Sequence, residues 1–206
     1  MKINNKIIAL LSVLTLLNLS CAEDSDIKLI DHNQTYYREG FSNVTVDGST
    51  FQLEGWTNYN EVGTKKWTGE FFSGNGSVAF SAFGSKEPIN IGWLISPPID
   101  MNVHEGEKMT FLSQHNFLRS RDNSLQLLVS TDFDGTNVKL ASWINIPVRT
   151  PTPDTPRFRN VYSGEIDLSE YEGTLYFAFR VKGSGTNSNL GGTYQIDDIN
   201  IYYPSK

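Results

Sequence analysis

From Tyr36 onward the apolar residues of this chain recur with the two-residue period of β-strands. The clearest stretch is 174–182, where Leu175, Phe177, Phe179 and Val181 share one parity and Tyr176, Arg180 and Lys182 the other. Such alternation marks a strand with one face in a core and one face towards solvent. Segment 108–118 repeats it, with Met109, Phe111, His115 and Phe117 on the apolar parity. Further strands are predicted at 65–72, 77–83, 91–96, 124–130 and 139–146, divided by turn phrases such as Ser73-Gly74-Asn75-Gly76. Pro97-Pro98 closes the strand before it, because proline donates no ladder hydrogen bond. In the last predicted strand, 193–203, Tyr194 and Ile196 keep one parity, whereas Ile199, Ile201 and Tyr203 keep the other. One extra residue between the two sets returns both to one face, which predicts a bulge near Asp197-Asp198. The prolines 147, 151, 153 and 156 predict a protruding loop between strands. The pattern is that of an all-β, antiparallel fold, with one domain over 36–206.

The first residues follow a different rule. A basic start (Lys2, Lys6) precedes an apolar run over 7–19, then Ser20 and Cys21, the one cysteine of the chain. The run is shorter than the roughly 20 residues that cross a bilayer, and a basic start, a short apolar stretch and a small residue describe a secretory signal. A cysteine at that place resembles the lipobox of bacterial lipoproteins, which implies cleavage after residue 20 and acylation of Cys21. The alternative is an ordinary signal with an incidental cysteine. Residues 21–35 then read as an acidic tether. Its start, Ala22-Glu23-Asp24-Ser25-Asp26, resembles the export signal of Bacteroidetes lipoproteins, implying an outer-membrane anchor facing the cell exterior.

The net charge is −6, and loss of the leader would remove two lysines and no acid. An acidic chain without a basic cluster argues against nucleic acid and against electrostatic docking on anionic lipid. The membrane partner is therefore reached through acyl chains, whose buried methylenes contribute about 0.8 kcal/mol each. With Cys21 consumed no disulfide remains, so the domain relies on its core.

Several phrases stand in a telling order: Glu39-Gly40-Phe41, Ala79-Phe80-Ser81-Ala82-Phe83-Gly84, Trp93-Leu94-Ile95-Ser96-Pro97-Pro98-Ile99-Asp100, Val129-Ser130-Thr131-Asp132-Phe133-Asp134-Gly135, Ser163-Gly164-Glu165-Ile166-Asp167-Leu168-Ser169, Ala178-Phe179-Arg180 and Tyr194-Gln195-Ile196-Asp197-Asp198-Ile199. Together they resemble the choice-of-anchor J domain, related to the cleaved-adhesin modules of gingipains. The resemblance implies a two-sheet jelly-roll sandwich of galactose-binding-like type with a non-catalytic binding or adhesion role. It also implies a structural calcium ion between Glu39 and Asp198, with Asp197 in reserve. Calcium takes six to eight oxygen ligands, so two carboxylates can be completed by backbone carbonyls. Asp132 and Asp134 form half an EF-hand phrase, but the downstream acid is missing and a turn accounts for them.

Glu165, Asp167 and Glu170 fit E-x-D-x-x-E, which resembles the signature of laminarinase- and agarase-type glycoside hydrolases. There two carboxyl groups about 5–5.5 Å apart would serve a retaining mechanism. Against it, 169–173 reads as a turn rather than one continuous strand. His32, His104 and His115 show no metal spacing, and His115 reads as a hydrogen-bonded core or face residue. A module that binds an extracellular glycan therefore leads, with Trp56, Tyr59, Trp67, Trp143 and Tyr162 as candidate stacking platforms and Arg119 and Arg121 as hydrogen-bond donors. Core packing is the competing role for each tryptophan. The second expectation is a protein-adhesion or assembly module working through sheet edges or the proline-rich loop.

Overall fold

The computed structural model describes residues 33–205. The leader, the lipidation site Cys21 and the tether as far as residue 32 lie outside the described residues. β1 (Gln34–Glu39) begins within the stretch read as tether. β2 (Thr57–Val62), β3 (Thr68–Phe72), β4 (Asn75–Ser81), β5 (Asn90–Ile95), β6 (Ile99–Asp100), β7 (Lys108–Asn116), β8 (Ser124–Ser130), β9 (Ile144–Ile146), β10 (Val161–Tyr162), β11 (Ile166–Asp167), β12 (Thr174–Gly183) and β13 (Thr193–Tyr203) follow. Two antiparallel sheets result. The seven-stranded sheet runs β10-β7-β13-β4-β3, with β1 also on β13 and β11 on β7; the six-stranded sheet runs β2-β5-β12-β8-β9, with β6 on β12. They pack as a sandwich, as the periodicity predicts.

The inner faces come from the alternating apolar sets. Leu175, Phe177, Phe179 and Val181 of β12 are fully buried, and so are Ile196, Ile199 and Ile201 of β13. The phase change in β13 is a bulge: pairing with β7 slips between Asp197 and Asn200, and Asp198 takes φ 48. Left-handed backbone is tolerated by aspartate better than by bulky residues. Where the sheets meet, the Phe80 ring of β4 fills the space above Gly92 of β5, and a Cβ there would overlap the ring. Trp67 lies 5.7 Å from Phe80, ring to ring, and is itself fully buried.

Three expectations are corrected. The strand predicted at 139–146 shrinks to β9, because 138–142 folds as a turn that lays Val138 and Trp143 against Trp93. The apolar parity of β7 stops at His115: Phe117 leaves the ladder with φ 57 and is exposed, while Ser113 takes the inward place. The proline-rich segment does not protrude. Pro151 is buried, the Arg149 amide donates to the Ser163 carbonyl (3.2 Å), and the Phe158 amide donates to the His115 carbonyl (2.9 Å), so the segment lies along the β7 side of the seven-stranded sheet. β2 escaped the periodicity because an edge strand half-buried along its length carries almost no apolar alternation.

The outer face of the six-stranded sheet is largely closed. Ile91, Trp93, Ile95, Leu128, Phe133, Val138 and Ala178 form a second apolar cluster, with Tyr59, Trp143 and Tyr176 packed on it. At its edge Arg180 makes a two-pronged contact with Glu61 (Nε to Oε2 2.8 Å, Nη2 to Oε1 3.1 Å), and the Trp93 indole N–H donates to the same carboxylate (2.8 Å). Arg180 holds the Glu61 carboxyl below the usual carboxylate range.

Candidate functional site

The other outer face is open. Along the seven-stranded sheet, residues of alternate parity to the core point outward. Glu70 of β3 opposes Ser77 of β4, and Phe72 opposes Asn75. Gln195 of β13 opposes Gln114 of β7, and the next outward pair is Thr193 with Asn116. These side chains floor two neighbouring hollows. The first, about 670 Å³, is lined by Glu70, Phe72, Asn75, Gln114, Phe158 and Gln195, with Asp47 at its rim. The second, about 400 Å³, is lined by Phe83, Asn116, Phe117, Arg119 and Thr193. Both fall within the range of small-ligand clefts.

Four phenylalanine rings bracket this face: Phe72 is 85% exposed, Phe83 76%, Phe158 57% and Phe117 49%. Open turns put them there. Phe72 ends β3 at the Ser73-Gly74 turn, Phe83 precedes Gly84, and Phe117 and Phe158 both sit at positive φ (57 and 58). Arg157 stacks on the Phe117 ring at 4.1 Å. The floor is held by amides, with the Gln114 side chain donating to Asn160 Oδ1 (2.6 Å).

The electrostatics of this face differ from the rest of the chain. Burial, and then Asp47 nearby, push the Glu70 carboxyl up. Burial also pushes up Asp197, whose carboxylate accepts from the Asn75 amide (2.8 Å) and from the Asp198 backbone (2.7 Å). Hydrogen bonds instead hold down the carboxyl groups of Asp132 and Asp134. Asp132 accepts from Ser130 and Ser142, and Asp134 from the amides of Asn137 and Thr136, so both are turn caps.

The predicted site residues scatter. Trp67 is a core residue, as its full burial beside Phe80 requires, and cannot stack a ligand. Trp56 is half-buried against Phe41, Phe51 and Phe177 and borders a separate shallow hollow with Lys66. Tyr59 and Trp143 serve the closed face, where the Trp143 indole donates to the Val138 carbonyl (2.9 Å). Tyr162 opposes Leu112 across β10 and β7 and lies on the open face, half exposed. Arg119 rims the second hollow; Arg121 is exposed and lines neither. Glu39 stands opposite Ile199, beside Asp198; its carboxylate accepts from the Phe41 amide (2.6 Å), while Asp198 accepts from Arg38 (3.1 Å). Asp197 turns the other way, towards Asn75. Among the described residues no three histidine, cysteine, aspartate or glutamate side chains gather as a metal cage.

The E-x-D-x-x-E phrase is spread over a strand end and a turn. Glu165 is engaged by Tyr202 (2.6 Å) and Lys108 (3.0 Å), Asp167 caps Ser169, and Glu170 stands in the turn beyond β11. Tyr202 and Lys108 hold Glu165 down, and Ser169 holds Asp167 down. The signature needs one continuous strand to aim its three acids at one sugar, and β11 ends at Asp167, with Glu170 in the turn beyond it.

The family described as "Domain of unknown function (DUF5017)" matches residues 100–203, about half of the chain. The chain belongs to this family. The matched segment runs from the end of β6 to the end of β13 and so contributes β7 and β13 to the open face. No curated protein matches the chain. Solved structures of similar fold include a cleaved adhesin domain of Lys-gingipain from Porphyromonas gingivalis (21% identity, 82% of this chain and 98% of that chain, TM-score 0.47). They also include TmCBM61 in complex with β-1,4-galactotriose (12%, 82% and 99%, 0.48) and the CBM22-2 xylan-binding domain of Paenibacillus barcinonensis Xyn10C (11%, 81% and 98%, 0.48). Cleaved adhesins, the kind of module that the ordered phrases resemble, thus stand among chains of similar fold. At these scores the likeness ends there, and the open face is read from this chain's own residues.

Sequence reasoning missed Phe72, Phe83 and Phe117 because each continues an apolar run or parity, and Phe158 because it stands alone in the proline-rich segment read as a loop. The available signal was their position beside turns: Ser73-Gly74 after Phe72, Gly84 after Phe83, and the proline-rich stretch before Phe158. The raised Glu70 carboxyl has a measurable consequence. The folded chain binds that proton more tightly than the unfolded chain, so the ionised group subtracts stability at neutral pH, and the loss is relieved as pH falls through the raised pKa. Glu70→Gln should therefore melt above wild type at pH 7, with the difference closing under acid conditions; equal melting curves at pH 7 would contradict this electrostatic account.

Proposed function

We propose that this chain is a non-catalytic surface module that holds a neutral glycan chain on the outer face of its seven-stranded sheet. The observation that carries the reading is the set of four exposed phenylalanine rings around a floor of glutamine, asparagine, serine and threonine. Sugar rings offer apolar C–H faces that stack on aromatic rings, and their hydroxyls need donors and acceptors fixed on a rigid support. Asp47 and Glu70 line the larger hollow, whereas no lysine, arginine or histidine is among its described lining residues. An anionic polymer would meet like charge there. The alternative is a protein-adhesion module using the same exposed rings.

Two further assignments belong to this proposal. The first is tethering through an acylated Cys21 to the outer membrane, facing the exterior. It rests on the leader pattern and suits a module that captures ligand beside the cell. The second is a structural calcium ion held by Glu39 and Asp198 with backbone carbonyls. The residues fit such an ion in that the β13 bulge brings Asp198 beside Glu39 on the neighbouring strand, with Gly40 leaving the approach free of a side chain. The ion would add positive charge beside Asp198, which pairs with Arg38.

Affinity electrophoresis of the full chain in detergent, through gels of galactan, mannan, xylan or polygalacturonate, tests the main reading. Retardation is expected in at least one neutral polymer and not in polygalacturonate. Phe72→Ala and Phe158→Ala should each weaken it by about tenfold or more, since an aromatic side chain withdrawn from water contributes about 1.5–3 kcal/mol. No retardation in any neutral polymer would sink the glycan reading and favour the adhesion alternative. Cys21→Ser should abolish palmitate labelling and release the chain from membranes, and wild type on intact cells should be cut by added proteinase; full protection would refute surface exposure. Melting in EGTA should fall below melting in calcium, and an unchanged temperature would remove the ion from the proposal.

A further inference from the structure

Two of the four rings of the open face, Phe117 and Phe158, form facing walls whose backbones are tied to one buried imidazole. His115 of β7 is 2% exposed. Its Nε2 lies 2.7 Å from the carbonyl oxygen of Thr155, which can only accept, so the proton sits on Nε2. Its Nδ1, left as an acceptor, receives the Leu118 backbone N–H at 3.3 Å. One ring therefore donates to the proline-rich segment, three residues before Phe158, and accepts from the residue that follows Phe117. The His115 carbonyl adds a third tie by accepting from the Phe158 amide at 2.9 Å.

These ties matter because the two platforms stand in backbone that their residue type disfavours. Phe117 and Phe158 have φ 57 and 58. A bulky residue there is strained by about 1–3 kcal/mol and stays only where its surroundings over-determine it. The Thr152–Thr155 turn braces one side, with Thr155 N–H donating to the Thr152 carbonyl (2.9 Å) and Thr152 N–H to Thr155 Oγ1 (3.0 Å). Arg157 over the Phe117 ring links the two walls directly. The floor below is β-ladder and needs no such fixing.

From this geometry we infer that His115 is a positioning residue for the ligand face, setting the spacing of Phe117 and Phe158, and that the proline-rich segment is the specificity loop it locks. The functional meaning rests on the glycan reading above; the locking itself does not. The two ring nitrogens can be separated by substitution. In His115→Asn the amide oxygen can take the place of Nδ1 and keep Leu118, but nothing reaches Thr155. In His115→Gln the longer amide can reach Thr155 as donor, but the acceptor for Leu118 is lost.

The test is hydrogen exchange read segment by segment on the full chain in detergent, together with affinity electrophoresis in neutral polysaccharide gels. His115→Asn should speed exchange in 152–158 at least tenfold while Leu118 stays within about twofold of wild type, and His115→Gln should do the reverse. The strands β8 and β12, remote from the ring, should be unchanged in both. Each variant should weaken retardation at least fivefold. Exchange that rises uniformly across the domain, or that stays unchanged in both segments, would overturn the inference, because either describes an ordinary core histidine. If wild type binds no neutral polymer, the glycan reading falls, and the exchange pattern still decides whether His115 locks the walls.

Discussion

The sandwich turns on one contact between its sheets, the Phe80 ring seated over Gly92. With no Cβ at residue 92 the ring occupies space that any other residue would claim, and Trp67 closes over it from β3's side. Interiors are packed to near crystalline density, so a ring in such a hole fixes the relation of the two sheets. It also fixes parity. With Val78 and Phe80 inward, Ser77 and Ser81 turn outward; across β13 and β7 the same ladder turns Gln195, Thr193, Gln114 and Asn116 outward. The polar floor of the open face is a consequence of the apolar floor beneath it.

The two outer faces then part company. On the six-stranded sheet the connection between β8 and β9 folds back, and Phe133, Val138 and Trp143 cover Ile91, Trp93 and Ile95. Arg180 and Glu61 seal that margin with partly buried, two-pronged pairing, the geometry in which an ion pair is worth most. On the seven-stranded sheet the proline-rich segment comes down beside β7 and leaves the face uncovered. It presents Phe158 to that face instead of burying it. Phe117 and Phe158 at positive φ, and the unfavourable ionisation of Glu70 and Asp197, fall on this surface, whereas the remaining shifted carboxylates sit in stabilising caps or pairs.

Some of this was legible in the chain. Alternation located β8 and β13 to the residue and β7 and β12 almost so, because a strand with one buried face imposes period two on its residues. The parity slip in 193–203 marks the bulge, since only an extra residue reconciles the two apolar sets. The turn role of Asp132 and Asp134 and the turn after Asp167 were also readable, as short acidic side chains beside glycine or serine cap local amides. The leader's pattern and the single Cys21 likewise belong to the sequence alone.

What only the tertiary structure decided is which aromatic residue meets water. Trp67 just precedes β3 and Phe72 ends it, yet one is sealed in the core and the other stands free, because burial depends on what the opposite sheet places overhead. The same holds for the adjacent acids of the bulge: positive φ at Asp198 sends its carboxylate to Arg38 and leaves Asp197 with Asn75, a division that neighbouring identical residues cannot encode locally. His115 carries the point furthest. Its parity marked it as inward-facing, but its partners lie 40 residues away at Thr155 and 3 away at Leu118. Periodicity records which way a side chain points; what it meets there is set by non-local packing.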